Sequence, residues 1–140
     1  MQLIEDKEFL KYDILYDRAE ELVKELSKQN NVYIVTARQS KEKAQCQIKN
    51  LLKCHKSIKD ILVTKRKTSK YDLIKQNVFV TNKDYFIGDT DEDILAGKKL
   101  KIKTIGLYSG FFNKEFLSKF KPDLLLKDIQ EIYENMQIFK

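Results

Sequence analysis

Asp89 and Asp93 stand four residues apart in "YFIGDTDEDILAG" (85–97), where an apolar run passes into a helical pattern. Gly88 lets the backbone bend or approach a ligand closely. Asp89 then emerges at a strand's carboxyl end, and Asp93 falls in the first turn of the next helix, facing the same crevice. Two carboxylates so placed form a hard-oxygen half-site for Mg²⁺, which binds through one or two carboxylates and keeps several waters. The competing reading is N-capping, since acids favour helix starts; Asp91 and Glu92 are expected to do only that. Thr36 ends "VYIVT" at the same edge. Its hydroxyl, beside the backbone amides that open the next segment at Ala37 and Arg38, can hold a phosphoryl oxygen. The alternative is a Thr that merely finishes a strand, and Arg38 either adds charge to the mouth or is solvated. A phosphate among carboxylates requires a nearby cation. Lys70, opening "KYDLI", is the first candidate, with Lys67 and Lys65 in reserve.

The elements that must position these residues alternate along the chain. "NVYIVTA" (31–37), "DILVT" (60–64), "DYFIGD" (84–89), "KTIGLY" (103–108) and "PDLLL" (122–126) are short apolar runs. Continuous runs of this length suit strands covered on both faces, as in parallel sheets. Between them lie helical patterns. Asp17 with Glu20 makes a capping box for a helix burying Ala19, Leu22, Val23 and Leu26. Ser40 caps a second with Ala44, Ile48, Leu51 and Leu52. A short helix holds Tyr71, Leu73 and Ile74; another starts near Asp91 and buries Ile94, Leu95 and Leu100. Asn113 opens one with Phe116, Leu117 and Phe120, and a last carries Ile129, Ile132, Tyr133 and Met136. The alternation predicts right-handed βαβ units in an α/β, three-layer doubly wound parallel sheet. Sites in such sheets form at the carboxyl ends of the strands, where these polar residues fall.

The 140 residues suit one domain, 42% of them are apolar, and no apolar run approaches a membrane span. "MQLIEDKEFLKYD" is not a signal peptide, so a soluble, cytoplasmic protein is expected. Cys46, Cys54 and His55 are too few for a structural metal site and fit a reducing compartment. The net charge is +6, from 27 basic residues against 21 acids. The patches "KRKTSK" (65–70) and "KKLKIK" (98–103) raise nucleic-acid binding as a reading. Against it, Arg, the preferred bidentate reader, occurs only at Arg18, Arg38 and Arg66, and the basic residues are spread along the chain.

Taken together, "VYIVT" with Thr36, "KYDLI" with Lys70 and "YFIGDTDED" with Asp89 and Asp93 resemble the second, third and fourth motifs of the haloacid dehalogenase-like (HAD) superfamily of phosphohydrolases. The resemblance covers roughly residues 13–135, with "ILAGKKLKIKTIGLYSGF" and "KPDLLLKDIQEI" as the usual continuation. "TAR" and "GDTDED" look most like the group similar to phosphoglycolate phosphatase. The resemblance implies a Rossmann-like core, Mg²⁺ as cofactor and a small phosphorylated metabolite as substrate. It assigns catalysis to Thr36 and Lys70, phosphate binding to Thr36, Ala37, Arg38 and Lys70, and metal binding to Asp89 and Asp93.

The chain departs from the family at one place. The first motif, DxDxT at the end of an N-terminal strand, supplies the family's nucleophile and half of its metal site. Here Asp13 is followed two places on by Leu15, and Asp17 by Ala19. In the family that Asp attacks phosphorus and forms an aspartyl-phosphate, so this chain is expected to be inactive or incomplete. Residues 1–16 are expected to be irregular or a cap remnant, and 17–135 the core. The family's central strand is missing or replaced. Either its two neighbours pair directly, or 8–16 ("EFLKYDILY") enters, or a separate polypeptide bearing DxDxT fills the slot. Unfilled, the slot leaves exposed strand edges that invite self-association. Met1 is either a true start or the mark of an interruption. The alternatives are a non-catalytic phosphate- or partner-binding module on the same scaffold and a basic nucleic-acid binder.

Overall fold

Each of the five apolar runs forms a strand, and a sixth strand joins them from the N-terminus. A computed structural model describes residues 2–5, 19–37, 40, 42–43, 45–46, 58–65, 67–110 and 112–139. The strands are β1 (Gln2–Glu5), β2 (Val32–Thr36), β3 (Ile58–Val63), β4 (Tyr85–Gly88), β5 (Lys103–Leu107) and β6 (Leu124–Leu126). They make one parallel sheet in the order β3-β2-β1-β4-β5-β6. The helices are α1 (Ala19–Ser27), α2 (Lys70–Asn77), α3 (Asp91–Lys99), α4 (Lys114–Ser118) and α5 (Ile129–Glu134), followed by a 3₁₀ turn at Met136–Phe139.

Side chains alternate across a strand, and the core divides accordingly. Val32, Ile34, Ile61, Val63, Tyr85, Ile87, Ile105 and Leu107 pack with Leu22, Val23 and Leu26 of α1 and Ile129 and Ile132 of α5. Val35, Leu62 and Phe86 point the other way, into a second cluster with Ile74 of α2, Ala96 of α3, Val78 and Ile102. The sheet is therefore sandwiched between α1/α5 and α2/α3, the three-layer arrangement expected from the alternation of elements.

The central slot is filled by the chain itself, with a segment none of the three alternatives named. β1 pairs parallel with both neighbours, Leu3 with Tyr33 and Phe86, and Ile4 with Ile34 and Ile87. Residues 2–5 are thus strand rather than irregular, and neither β2 nor β4 presents an open edge. The sheet's edges are β3 and β6. "QLIE" was hidden because it has only two apolar residues between polar ends, whereas a doubly covered strand announces itself as a longer apolar run.

Local signals account for the helix ends. Ser69, Thr90, Asn113 and Asp128 cap α2, α3, α4 and α5, each side chain accepting from the backbone N–H three residues on. Ser40 Oγ accepts from Lys43 N at 3.3 Å, while Asp17, Ala44, Ile48, Leu51, Leu52, Cys54 and His55 lie outside the described residues. Leu95 departs from expectation: it is 48% exposed, and Ile94, Ala96 and Gly97 form the buried face of α3 instead. Among the described residues no helix is long and apolar enough to cross a membrane.

α3 ends in a Schellman motif: Ile102 N donates to Gly97 O at 3.1 Å and Lys101 N to Lys98 O at 3.0 Å. The left-handed residue of that motif is Lys101 (φ 63°), where glycine is the usual occupant. Left-handed backbone costs an L side chain about 1–2 kcal/mol, of which glycine's extra chain entropy cancels about 0.5–1. Lys101→Gly is therefore expected to stabilise the protein by about 0.5–1 kcal/mol. A thermal melt showing no change or a lower midpoint would contradict this.

Candidate functional site at the carboxyl edge of the sheet

β2 and β4 lie on either side of β1, so their carboxyl ends stand about 10 Å apart, two strand spacings. The polar residues gather around that gap. Thr36 closes β2 and is fully buried. Its carbonyl accepts from Thr64 N at 3.0 Å, tying the end of β2 to the turn that follows β3. Its Oγ1 is buried and has no hydrogen-bond partner among the described residues. Buried hydroxyls are normally satisfied, so an exception asks for an explanation. Ala37, the next residue, is half-buried, and Arg38 lies outside the described residues.

Lys70 breaks two local rules. It is the first residue of α2, where the helix dipole disfavours a cation, and it is only 3% exposed, rare for lysine. Asp93 offsets both penalties: Lys70 Nζ donates to its Oδ1 at 2.7 Å, with the two side chains 3% and 1% exposed. Lys65 and Lys67 are exposed. Of the three lysines in the stretch, only Lys70 is carried into the protein.

Asp93 is held on its other side as well. Thr90 N and Oγ1 donate to its Oδ2 at 3.3 and 2.8 Å, and Asp93 N donates back to Thr90 Oγ1 at 3.2 Å. This is a capping box with Thr90 as N-cap. The capping work falls to Thr90 and Asp93 rather than to Asp91 and Glu92. The Thr-x-x-Asp spacing in "TDED" is the signal that could have revealed it. Gly88 is required here because a β-carbon at that position would run into the Asp93 side chain.

Asp89, directly after β4, is 6% exposed. Gly110, in the loop after β5, packs on it so closely that an added β-carbon would lie 2.9 Å from Asp89 Cβ and collide with its carboxylate. Sequence reasoning missed this wall of the site, as it missed Thr64 and Thr90.

The donor set meets the requirements of a magnesium ion unequally. Asp89 fits: it is a buried carboxylate at the strand ends, and Mg²⁺ needs only one or two such ligands beside water and phosphate oxygens. Asp93 fits less well as a direct ligand, because a divalent cation on it would share its carboxylate with the Lys70 ammonium. No cluster of three or more His, Cys, Asp or Glu side chains exists among the described residues. The carboxyl edge of the sheet thus presents a buried hydroxyl at the end of β2, a buried carboxylate after β4 and the buried Lys70–Asp93 pair between α2 and α3.

Comparison with known proteins bears on the fold that carries these residues. The profile of the HAD-hydrolase-like family matches residues 72–132. No curated protein matches the chain in sequence. Among solved structures, a haloacid dehalogenase-like family hydrolase from Streptococcus pneumoniae is similar, with 25% identity, a TM-score of 0.73, and 86% of this chain and 59% of that one covered. A hydrolase from Pseudomonas syringae has 22% identity and a TM-score of 0.69 over 87% of this chain and 59% of that one. The HAD-hydrolase YfnB of Bacillus subtilis, solved bound to magnesium, has 19% identity and a TM-score of 0.70 over 86% of this chain and 55% of that one. The chain therefore spans a little over half the length of these relatives. The profile match over residues 72–132 and the shared fold make this chain similar to haloacid dehalogenase-like hydrolases.

Proposed function

We propose that the carboxyl edge of this sheet binds the phosphoryl group of a small phosphorylated metabolite together with Mg²⁺. Thr36 Oγ1 and the Ala37 amide hold phosphoryl oxygens, Arg38 adds charge at the mouth, and Lys70 neutralises the anion. Asp89 holds the metal, and Asp93 contributes by fixing Lys70. The metal supplies charge neutralisation at the phosphoryl oxygens when bound; the magnesium found in the Bacillus subtilis relative supports its inclusion. The observation that carries the reading is the buried Thr36 hydroxyl, without a hydrogen-bond partner among the described residues, at the sheet edge that also presents Lys70 and Asp89.

That hydroxyl makes an unusual prediction. Thr36→Val is nearly isosteric and removes a buried polar group without a partner, so stability should hold or rise by up to about 1 kcal/mol. The same substitution should weaken inorganic phosphate binding about tenfold in calorimetry with Mg²⁺ present, the value of one hydrogen bond to a charged group. A destabilised variant with unchanged phosphate affinity would overturn the reading.

Turnover is a separate matter. The described residues of β1 include no Asp, and Thr36, Lys70 and Asp89 can position a phosphate without attacking it. Catalytic groups that act as a unit lose most of the rate when one is missing. The chain alone is expected to show no hydrolysis of p-nitrophenyl phosphate above background. A non-catalytic phosphate-binding module on the same scaffold is the second reading. Recovery of activity on mixing with a DxDxT-bearing N-terminal piece would select the enzyme reading over it.

A further inference from the structure

The stretch "KRKTSK", set aside above as a nucleic-acid patch, lands on the rim of the phosphate site. Resting on the phosphate reading, we propose that the turn from Thr64 to Ser69 is a specificity element, in which Lys65 and Lys67 take a second phosphoryl group of the same small metabolite. The turn is fastened to the site at both ends. Thr64 is buried and donates its N–H to Thr36 O at 3.0 Å; its own carbonyl accepts from Lys67 N at 3.0 Å and Thr68 N at 3.4 Å. Five residues after Thr64, Ser69 caps α2, and Lys70 enters the site.

Within this short, tied turn, Lys65 takes a left-handed backbone conformation (φ 56°). The turn bonds from Lys67 N and Thr68 N to Thr64 O hold it there and fix the place of Lys65 beside the site. Lys65 and Lys67 are both exposed. Lys24, Lys28 and Lys70 each have a carboxylate within reach, but neither Lys65 nor Lys67 does among the described residues. Two such ammonium groups two positions apart, beside a buried oxyanion site, match a second doubly charged phosphoryl group better than a single carboxylate.

Calorimetry at low ionic strength, where exposed charges are least screened, would compare inorganic phosphate, fructose 6-phosphate and fructose 1,6-bisphosphate. The wild-type protein should bind the bisphosphate about tenfold more tightly than the monophosphate, as one or two charge-assisted contacts allow. Lys65→Gln/Lys67→Gln should bring that ratio to near one. Lys83→Gln/Lys98→Gln, which removes two exposed lysines elsewhere, should leave it intact. Phosphate binding with no bisphosphate preference, or a preference that survives the first double substitution or falls equally with the second, overturns this proposal alone. Failure to bind any of the three ligands overturns the phosphate reading and this proposal together.

Discussion

Lys70→Met is expected to destabilise the protein by about 3–5 kcal/mol, the usual cost of removing one partner from a buried ion pair. The expectation rests on geometry: the Lys70 ammonium and the Asp93 carboxylate are 2.7 Å apart and almost completely shielded from water. Without the lysine, Asp93 keeps only its bonds to Thr90 on that carboxylate among the contacts described above. The control is the pair of substitutions together. In Lys70→Met/Asp93→Asn no net charge is left buried, and Asn at position 93 can still accept from Thr90, so more than half of the loss should return. Urea denaturation of the two single variants and the double variant measures the coupling directly. Additive losses would mean that the two residues are not a pair, and a Lys70→Met midpoint equal to wild type would mean that the lysine is not buried.

Gly88→Ala comes next in size. An added β-carbon would sit 2.5 Å from Asp93 Cγ, and Asp93 is pinned by Lys70 on one side and Thr90 on the other. Overpacking alone costs about 1–3 kcal/mol; displacing the buried pair adds part of the Lys70→Met penalty, for a total of about 3 kcal/mol or more. Gly97→Ala separates the two contributions. Its β-carbon would collide with Thr104 Cγ2, buried at the amino end of β5 and away from the carboxyl edge. Both variants should unfold at lower urea, but only Gly88→Ala should also lose phosphate affinity while still folded. Equal phosphate affinities in the two would detach Asp93 from the binding site.

The sheet was largely legible because a strand covered on both faces needs a continuous apolar run, and "VYIVT", "DILVT", "YFIG" and "KTIGL" supply it. β1 was not legible. Four residues with Gln2 and Glu5 at their ends carry almost no periodic signal, and their place is set by the two strands they join rather than by their own composition. The candidate residues were legible by type and place in the chain: Thr36 ends β2, Asp89 follows β4, and Lys70 and Asp93 open the two helices that their ion pair joins. Their pairings were not. Choosing Lys70 over Lys65 and Lys67 requires knowing which lysine enters the protein, a tertiary fact. Asp93 suited both a metal and a cap from spacing alone; only the bonds from Thr90 and Lys70 show how fully its carboxylate is engaged. Gly110 against Asp89 is a contact between loops that no local pattern encodes.

The central claim is that Thr36, Lys70 and Asp89 form one phosphate site with magnesium at the carboxyl edge of the sheet. Amide chemical-shift mapping during titration with inorganic phosphate and Mg²⁺ tests it most directly. The account predicts shifts confined to Thr36 and Ala37, Thr64 to Lys70, Asp89 and Thr90, and Ser109 and Gly110, and their loss in Thr36→Val. Shifts that appear instead at the opposite end of the molecule, around the cleft lined by Leu26, Asn30 and Phe139, or no shifts at all, would contradict it.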